Sequence, residues 1–538
     1  MYMFYQHVVT MNPSACDSGN LEAAIELGAY AGLQLAWVPV WSAVLGFCLQ
    51  DLASRIGLAS GQDLAQLVRE HYPRWCVRSL YICLELAVVA ADIQEVREST
   101  QSLSRHHNQT RLRLTKSVCL HGQVIGTAIA LNLLLGLPLW MGSLFTAVLS
   151  MVLVFLHDSH STLFEALIAV ALCVTSMCAI GMMLFGGVDS GALLTGLIIP
   201  SAPPETALIV VGTIGATVMP HNIFLGSRLL LDKRTMSDAE ECGTKSEDHE
   251  QAPTNQPKVV GVRAAPRSWH RIINFSRCEL AFALVVSLFC NAGLISTFSR
   301  AAYSPTCLGG DEPLGCIANG VSTPGDGGDA CVIQQINVAG QCGTIDLQNA
   351  GGSLEASMPP ELGAGAKVLW AVALYSAGQA STLTCTCAGQ VIMDGMLQLK
   401  VVPWMRALIT RMVALGPALA IVLYASSADA KFDLIQAVCE GANVLQATVL
   451  PFALLPALRF SSDTALVGEF ALGRYTRTFA WLATIGIVAS SILIAVDYVQ
   501  GMEMPGLWVA FVPTLSAYLA LCTRLAWSDL VMCCRFRG

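Results

Sequence analysis

The chain has 538 residues, of which 54% are hydrophobic and only 13% charged, about half the charged share of an ordinary soluble protein; mean hydropathy is +0.58. That balance excludes a soluble globular protein and predicts an all-α polytopic membrane protein seated in a lipid bilayer. The net charge of −8 is scattered over loops and names no partner, and no basic, aromatic surface points to nucleic acid.

Residues 1–16 lack a basic n-region and a small-residue cleavage site, so no cleaved signal peptide is expected. This stretch is short for a membrane segment and contains Asn12-Pro13. The polar sequence Asp17-Ser18-Gly19-Asn20 follows. Apolar runs near the roughly 20 residues needed to cross a bilayer then recur at 21–31, 32–50, 79–96 continuing at 124–136, 138–156, 164–186, 206–231 and 279–298. Further runs occupy 366–394, 402–425, 434–458, 478–497 and 506–523. The organisation expected is spans within 1–231, a loop at 232–277, a seventh span at 278–300, a loop at 301–365, spans eight to twelve at 366–523 and a tail at 524–538.

Residues 97–123 are polar and basic and interrupt the third span. Removing 96–123 would join Glu95 to Val124 and restore one apolar helix. Val codons begin with GT and a Gln codon can end in AG, so the segment is read as a retained intron or as a genuine insert. A spliced transcript carrying all 28 codons would exclude the first reading.

Loop charge orients the bundle. The 232–277 segment carries Lys233, Arg234, Lys245, Lys258, Arg263, Arg267, Arg271 and Arg277, and the loop after the second span carries Arg55, Arg69, Arg74 and Arg78. Residues 301–366 contain no Lys or Arg. The positive-inside rule therefore puts both termini and 232–277 in the cytosol and 301–366 outside. Both large loops are rich in Gly, Pro, Ser and Asp and are expected to be mobile. Most of the 20 cysteines lie in apolar spans as small hydrophobes. Cys307, Cys316, Cys331 and Cys342 share the outer loop, where two disulfides are expected in one of three pairings.

The span 206–231 holds Gly215-Ala216-Thr217-Val218-Met219-Pro220-His221-Asn222 at mid-depth. Polar groups there are costly and mark an ion or substrate path. A proline frees backbone carbonyls that only protein or a wet cavity can accommodate. With the Asp17 stretch, this makes two interrupted helices in corresponding halves, the pointer to a transporter's central site. The C-terminal ends of two half-helices favour a cation. Asp17 brings a charge, Asn20 an amide oxygen, Ala216 a carbonyl and Met219 a thioether, which suits softer transition metals and not Mg²⁺ or Ca²⁺. For Met219 alone, ordinary packing is the competing reading. Gln446 offers a further oxygen, with packing hydrogen bonds an equal explanation.

For protons, His221 titrates near neutral pH, Asp92 and Glu95 share a helix face at i, i+3, and Arg411 in the ninth span could hold a carboxylate charged. A buried Asp92–Arg411 ion pair of purely structural role is the alternative. No nucleophile–base pair or phosphate loop accompanies these charges, so an enzyme is not expected.

These stretches together resemble the Nramp family of proton-coupled divalent metal transporters. Asp17-Ser18-Gly19-Asn20 looks like its first-helix Asp-Pro-Gly-Asn signature, and 216–222 matches its sixth-helix Ala-x-x-Met-Pro-His-Asn signature. Residues 378–390, 443–453 and 46–73 resemble its eighth helix, tenth helix and second helix with the following loop. The resemblance implies a LeuT-type inverted repeat of five plus five helices, two additional C-terminal spans, and broken first and sixth helices. It implies symport of Mn²⁺ or Fe²⁺ with protons toward the cytosol by alternating access, without a cofactor and as a monomer, in a plasma or internal membrane. Metal ligands carry over to Asp17, Asn20, Ala216 and Met219, and the proton pathway to Asp92, Glu95, His221 and Arg411. Ser18 replaces a proline that would sharpen the first break, and Gly226 stands where many members have a second histidine. A magnesium-transporting branch and a non-transporting sensor of the same fold are the alternatives. Met219 argues against the first, and the lack of a long soluble region after Thr523 against the second.

Overall fold

The computed structural model describes residues 18–94, 161–243, 267–398 and 432–535, apart from short interruptions, and a few positions between 130 and 149. Asp17, Glu95, Arg411, the 97–123 segment and, apart from Leu149 and Met405, the expected spans at 138–156 and 402–425 lie outside the described residues.

The described chain is mainly helical, and its helix ends follow local chemistry. Helix α1 (Ser18–Ala31) and α2 (Trp37–Ser60) come first, α2 stopping where Gly61 takes the left-handed φ of 73° that glycine tolerates. The short α3 (Leu64–His71) opens with a capping box. Asp63 Oδ1 accepts from the Gln66 N–H at 2.8 Å, and Gln66 Oε1 accepts from the Asp63 N–H at 3.2 Å. Helices α4 (Arg74–Gln94), α5 (Ser161–Gly186) and α6 (Ser190–Ile198) follow, and then α7 (Ala207–Thr217) and α8 (Pro220–Gly243), which break the sixth span as expected. The remaining helices are α9 (Arg267–Ala302), α10 (Leu347–Ser357), α11 (Pro360–Leu397), α12 (Phe432–Ser462), α13 (Thr464–Val467), α14 (Arg474–Gly501) and α15 (Pro505–Arg535).

The described part of the first span begins at Ser18, where Ser18, Gly19 and Asn20 form the first turn of α1; the residues before it, on the other side of the expected break, lie outside the described residues.

Two apolar cores hold the bundle. One joins α1, α5, α9 and α11 around Trp370 and Phe298; the other joins α2, α3, α4, α8, α12 and α15 around Phe224 and Phe460. Small residues set the closest approaches. A Cβ on Gly28 of α1 would lie 2.5 Å from the Ile295 carbonyl of α9, and a Cβ on Gly57 of α2 would collide with the Ser227 carbonyl of α8. The broken pair α7–α8 is therefore pressed among α1, α2, α11 and α12.

Among the described residues, three helical stretches are long and apolar enough to cross a membrane: Ile209–Thr235, Ser268–Ala302 and Arg474–Leu493. Two shorter apolar stretches, Ala169–Leu184 and Phe511–Ala526, lie on α5 and α15. Large apolar side chains turn outward on α5, α9 and α14, including Met177, Leu184, Phe282, Phe289, Leu482 and Leu493. That is the pattern of a lipid-facing wall, not a soluble surface.

The segment 301–366 was expected to be mobile, and it is instead a folded cap. It contains a short 3-10 turn (Pro305–Leu308) and the strands β1 (Gly315–Ala318), β2 (Ala330–Ile333) and β3 (Val338–Gly343) in the antiparallel order β1-β3-β2. The open pairing question resolves as Cys307–Cys342 and Cys316–Cys331. The cap is anchored on α1. The Tyr30 hydroxyl accepts the Ile345 N–H at 3.0 Å and donates to the Ile345 carbonyl at 3.5 Å, while Ile317 and Ile345 enter the first core. Glycine and proline content suggested mobility, but cross-links and burial override it.

Candidate metal site

The site grows from the break between α7 and α8. An α-helical carbonyl is satisfied by the N–H four residues on. For Ala216 that residue is Pro220, which has no N–H, so the Ala216 carbonyl is left without its helical partner. Helix α7 ends with the Val218 N–H donating to Ile214 O at 2.9 Å, and α8 restarts with the Asn222 N–H donating to Met219 O at 3.2 Å. Pro220 itself occupies the first position of α8, where a missing N–H costs nothing. The C-terminal end of α7 carries the partial negative charge of its last carbonyls.

Asn20 is drawn to this end of α7. Its side chain is 3% exposed, and its Oδ1 lies 3.1 Å from Thr217 Oγ1. The same hydroxyl lies 2.8 Å from the Thr213 carbonyl. A hydroxyl has one proton. That proton is therefore shared between the Thr213 carbonyl and Asn20 Oδ1. Met219 is buried at the break, and α7 packs against α12 beside Gly215. A Cβ at 215 would sit 3.8 Å from the Ala447 N, next to the buried Gln446. The structure thus gathers Asn20, Ala216 and Met219 near one helix break, with Gln446 on the adjoining wall.

His221 is 2% exposed. Its Nε2 lies 3.5 Å from Cys385 Sγ of α11, while Nδ1 has no hydrogen-bond partner among the described residues. The neighbouring Asn222 and Gln379 also bury both amide atoms without a partner among the described residues. Unpaired buried amides are rare and mark places where water or a ligand completes the bonding. Gly226 leaves room: a Cβ there would meet Ala53 Cβ at an ordinary 3.9 Å. Asp92 lies on α4, two turns beyond Glu85, a buried carboxyl bonded to the Tyr81 hydroxyl that the sequence reading passed over. Thr217 was also passed over although it sits inside the sixth-span motif, and Cys385 although it sits inside 378–390. Their partners lie 197 and 164 residues away, which no local pattern reports.

Three comparisons bear on identity. A model of natural resistance-associated macrophage protein-like proteins matches residues 9–107 and 112–497. The chain is 31% identical to the metal transporter nramp1 homolog of Dictyostelium discoideum over 491 residues, covering 91% of this chain and 73% of that one. It is 30% identical to human natural resistance-associated macrophage protein 1 over 534 residues, covering 98% and 83%. In structure it resembles a manganese transporter of Eremococcus coleocola with TM-score 0.69 at 21% identity, over 98% of this chain and 94% of that one. The Dictyostelium and Eremococcus proteins are metal transporters, which agrees with the expectation that the chain is not an enzyme. With a family model matched along nearly its whole length, the chain is an integral membrane protein that belongs to the Nramp family.

Proposed function

We propose that this protein carries divalent transition metal ions, Mn²⁺ and Fe²⁺ among them, together with protons toward the cytosol by alternating access. The observation that supports this most is the buried Met219 thioether at a helix break whose Ala216 carbonyl has lost its partner to Pro220, beside Asn20. Oxygen ligands alone would serve hard ions equally well, whereas the sulfur favours transition metals. In this reading Asp17, one residue before α1, supplies the charge, and Asn20, Ala216, Met219 and Gln446 complete the shell as the helices move. His221, Asp92, Glu95 and Arg411 carry the proton. The helices form two inverted five-helix repeats, the protein works as a monomer, and the basic loops and both termini face the cytosol.

The test is Mn²⁺ uptake into proteoliposomes holding the full chain, with the entry side acidic and then neutral, and Mg²⁺ in excess as competitor. Acid-stimulated uptake that ignores Mg²⁺ is expected. Uptake equally blocked by Mg²⁺ would move the protein to a magnesium-transporting branch, and uptake indifferent to pH would remove the proton.

A further inference from the structure

The thiol of Cys385 and the imidazole of His221 meet across two helices, and neither the metal shell nor the family signature accounts for that thiol. Sγ and Nε2 are 3.5 Å apart, from residues 164 positions apart in sequence. Both side chains are buried, at 4% and 2% exposure. Their helices, α11 and α8, pack directly on each other. Sulfur with imidazole nitrogen is the donor pair preferred by soft and borderline divalent ions. A tetrahedral zinc with ordinary Zn–S and Zn–N lengths holds those two atoms about 3.6 Å apart, close to the separation observed. The other sulfur cluster, Cys307, Cys316 and Cys331, has its thiols consumed in disulfides and offers no thiolate.

We propose that Cys385 and His221 form a second metal site, specific for thiophilic ions such as Zn²⁺ and Cd²⁺, whose occupation ties α8 to α11 and stops transport. On binding, the thiol proton leaves to water as the metal–sulfur bond forms, and Nε2 donates its lone pair with the ring proton on Nδ1. No electron changes hands. Water fills the remaining coordination positions. Because α8 begins at the break and α11 lies beside it, an ion joining them would fix the very segment that alternating access must move.

The binding arm uses the purified full chain in detergent, titrated with Cd²⁺ and followed by the ultraviolet thiolate-to-cadmium band. The other free thiols, such as the exposed Cys173 and Cys278, give a common background. The wild type should show a band in excess of that of Cys385→Ser, which Cys387→Ser keeps, and equal bands in wild type and Cys385→Ser would overturn the proposal. The transport arm rests on the reading above and measures Cd²⁺ inhibition of Mn²⁺ uptake in proteoliposomes. In the wild type, excess Mn²⁺ should fail to restore the maximal rate. In Cys385→Ser, basal uptake should persist, Cd²⁺ should compete only at the transport site, and sensitivity should fall about tenfold or more, the range over which even outer-shell partners act. Full relief of the wild type by Mn²⁺, or equal inhibition of both proteins, would overturn it. If neither protein takes up Mn²⁺, the transport reading fails and the cadmium band alone decides this site.

Discussion

Replacing Thr217 with valine keeps the shape of the side chain and removes one hydroxyl. That hydroxyl lies 3.1 Å from Asn20 Oδ1 and 2.8 Å from Thr213 O, and Thr217 is only 6% exposed. The Thr213 bond is a local one within α7, so its loss leaves the helix ladder intact. The Asn20 bond is the one that fixes a proposed metal ligand from a second helix. A buried hydrogen bond contributes a net 0.5–1.5 kcal/mol, roughly. If that energy serves to hold Asn20 in its binding orientation, its loss weakens Mn²⁺ binding about 2- to 13-fold, since about 1.4 kcal/mol is a factor of ten. Calorimetric titration of the purified full chain with Mn²⁺ measures this directly and avoids equating KM with affinity. Thr217→Ser keeps the hydroxyl and should bind like the wild type. An unchanged affinity in Thr217→Val would refute the anchoring argument. Equal losses in Val and Ser would assign the effect to packing of the methyl group instead.

Met219→Leu preserves buried volume, so the fold should survive at a cost below about 1.5 kcal/mol, while competition by Mg²⁺ or Ca²⁺ against Mn²⁺ uptake should rise; unchanged selectivity would take the sulfur out of the metal shell. Tyr30→Phe leaves the Ile345 N–H buried without its acceptor, which costs about 1–3 kcal/mol. Earlier thermal unfolding and faster proteolysis within 301–366 are expected, and a cap as resistant as in the wild type would show that the hydroxyl does not anchor it. Asp63 gives a pH signature. Burial pushes its carboxyl up, against the pull of the Gln66 and Ala65 N–H groups and of Arg228. A carboxyl raised in the folded state favours folding when protonated, so the wild type should gain stability as pH falls through that raised value toward the ordinary carboxylate range. Asp63→Asn, which caps a helix equally well, should lose that slope in thermal melts; parallel pH profiles for the two proteins would refute it.

The helix break was legible in part because it is a covalent matter. Pro220 deletes one N–H wherever it stands, but Pro451, Pro456 and Pro513 do the same inside continuous helices, so the break was legible only because Pro220 is flanked by Met219 and the polar pair His221-Asn222 in one apolar run. The first-helix signature was less legible because Ser18 deletes no N–H, and α1 is helical from Ser18 onward. The cap at 301–366 was hidden for another reason. Four cysteines announced two cross-links, but the register of β1 on β3 sets Cys316 opposite Cys342 while the bonds run Cys307–Cys342 and Cys316–Cys331, and such long-range placement is not written in local pattern.

Side-chain meetings across the bundle were least legible of all. Asn20 with Thr217 joins α1 to α7, and His221 with Cys385 joins α8 to α11. Each depends on how deeply two helices interlock, and that depth is set elsewhere, by Gly57 against Ser227 O and Gly28 against Ile295 O. A bulkier residue at either glycine would push α8 or α9 outward and alter the setting of the break, with no ligand changed. The metal shell is therefore written in two kinds of residue: the donors, recognisable by their chemistry, and the glycines that let the helices carrying them come close enough.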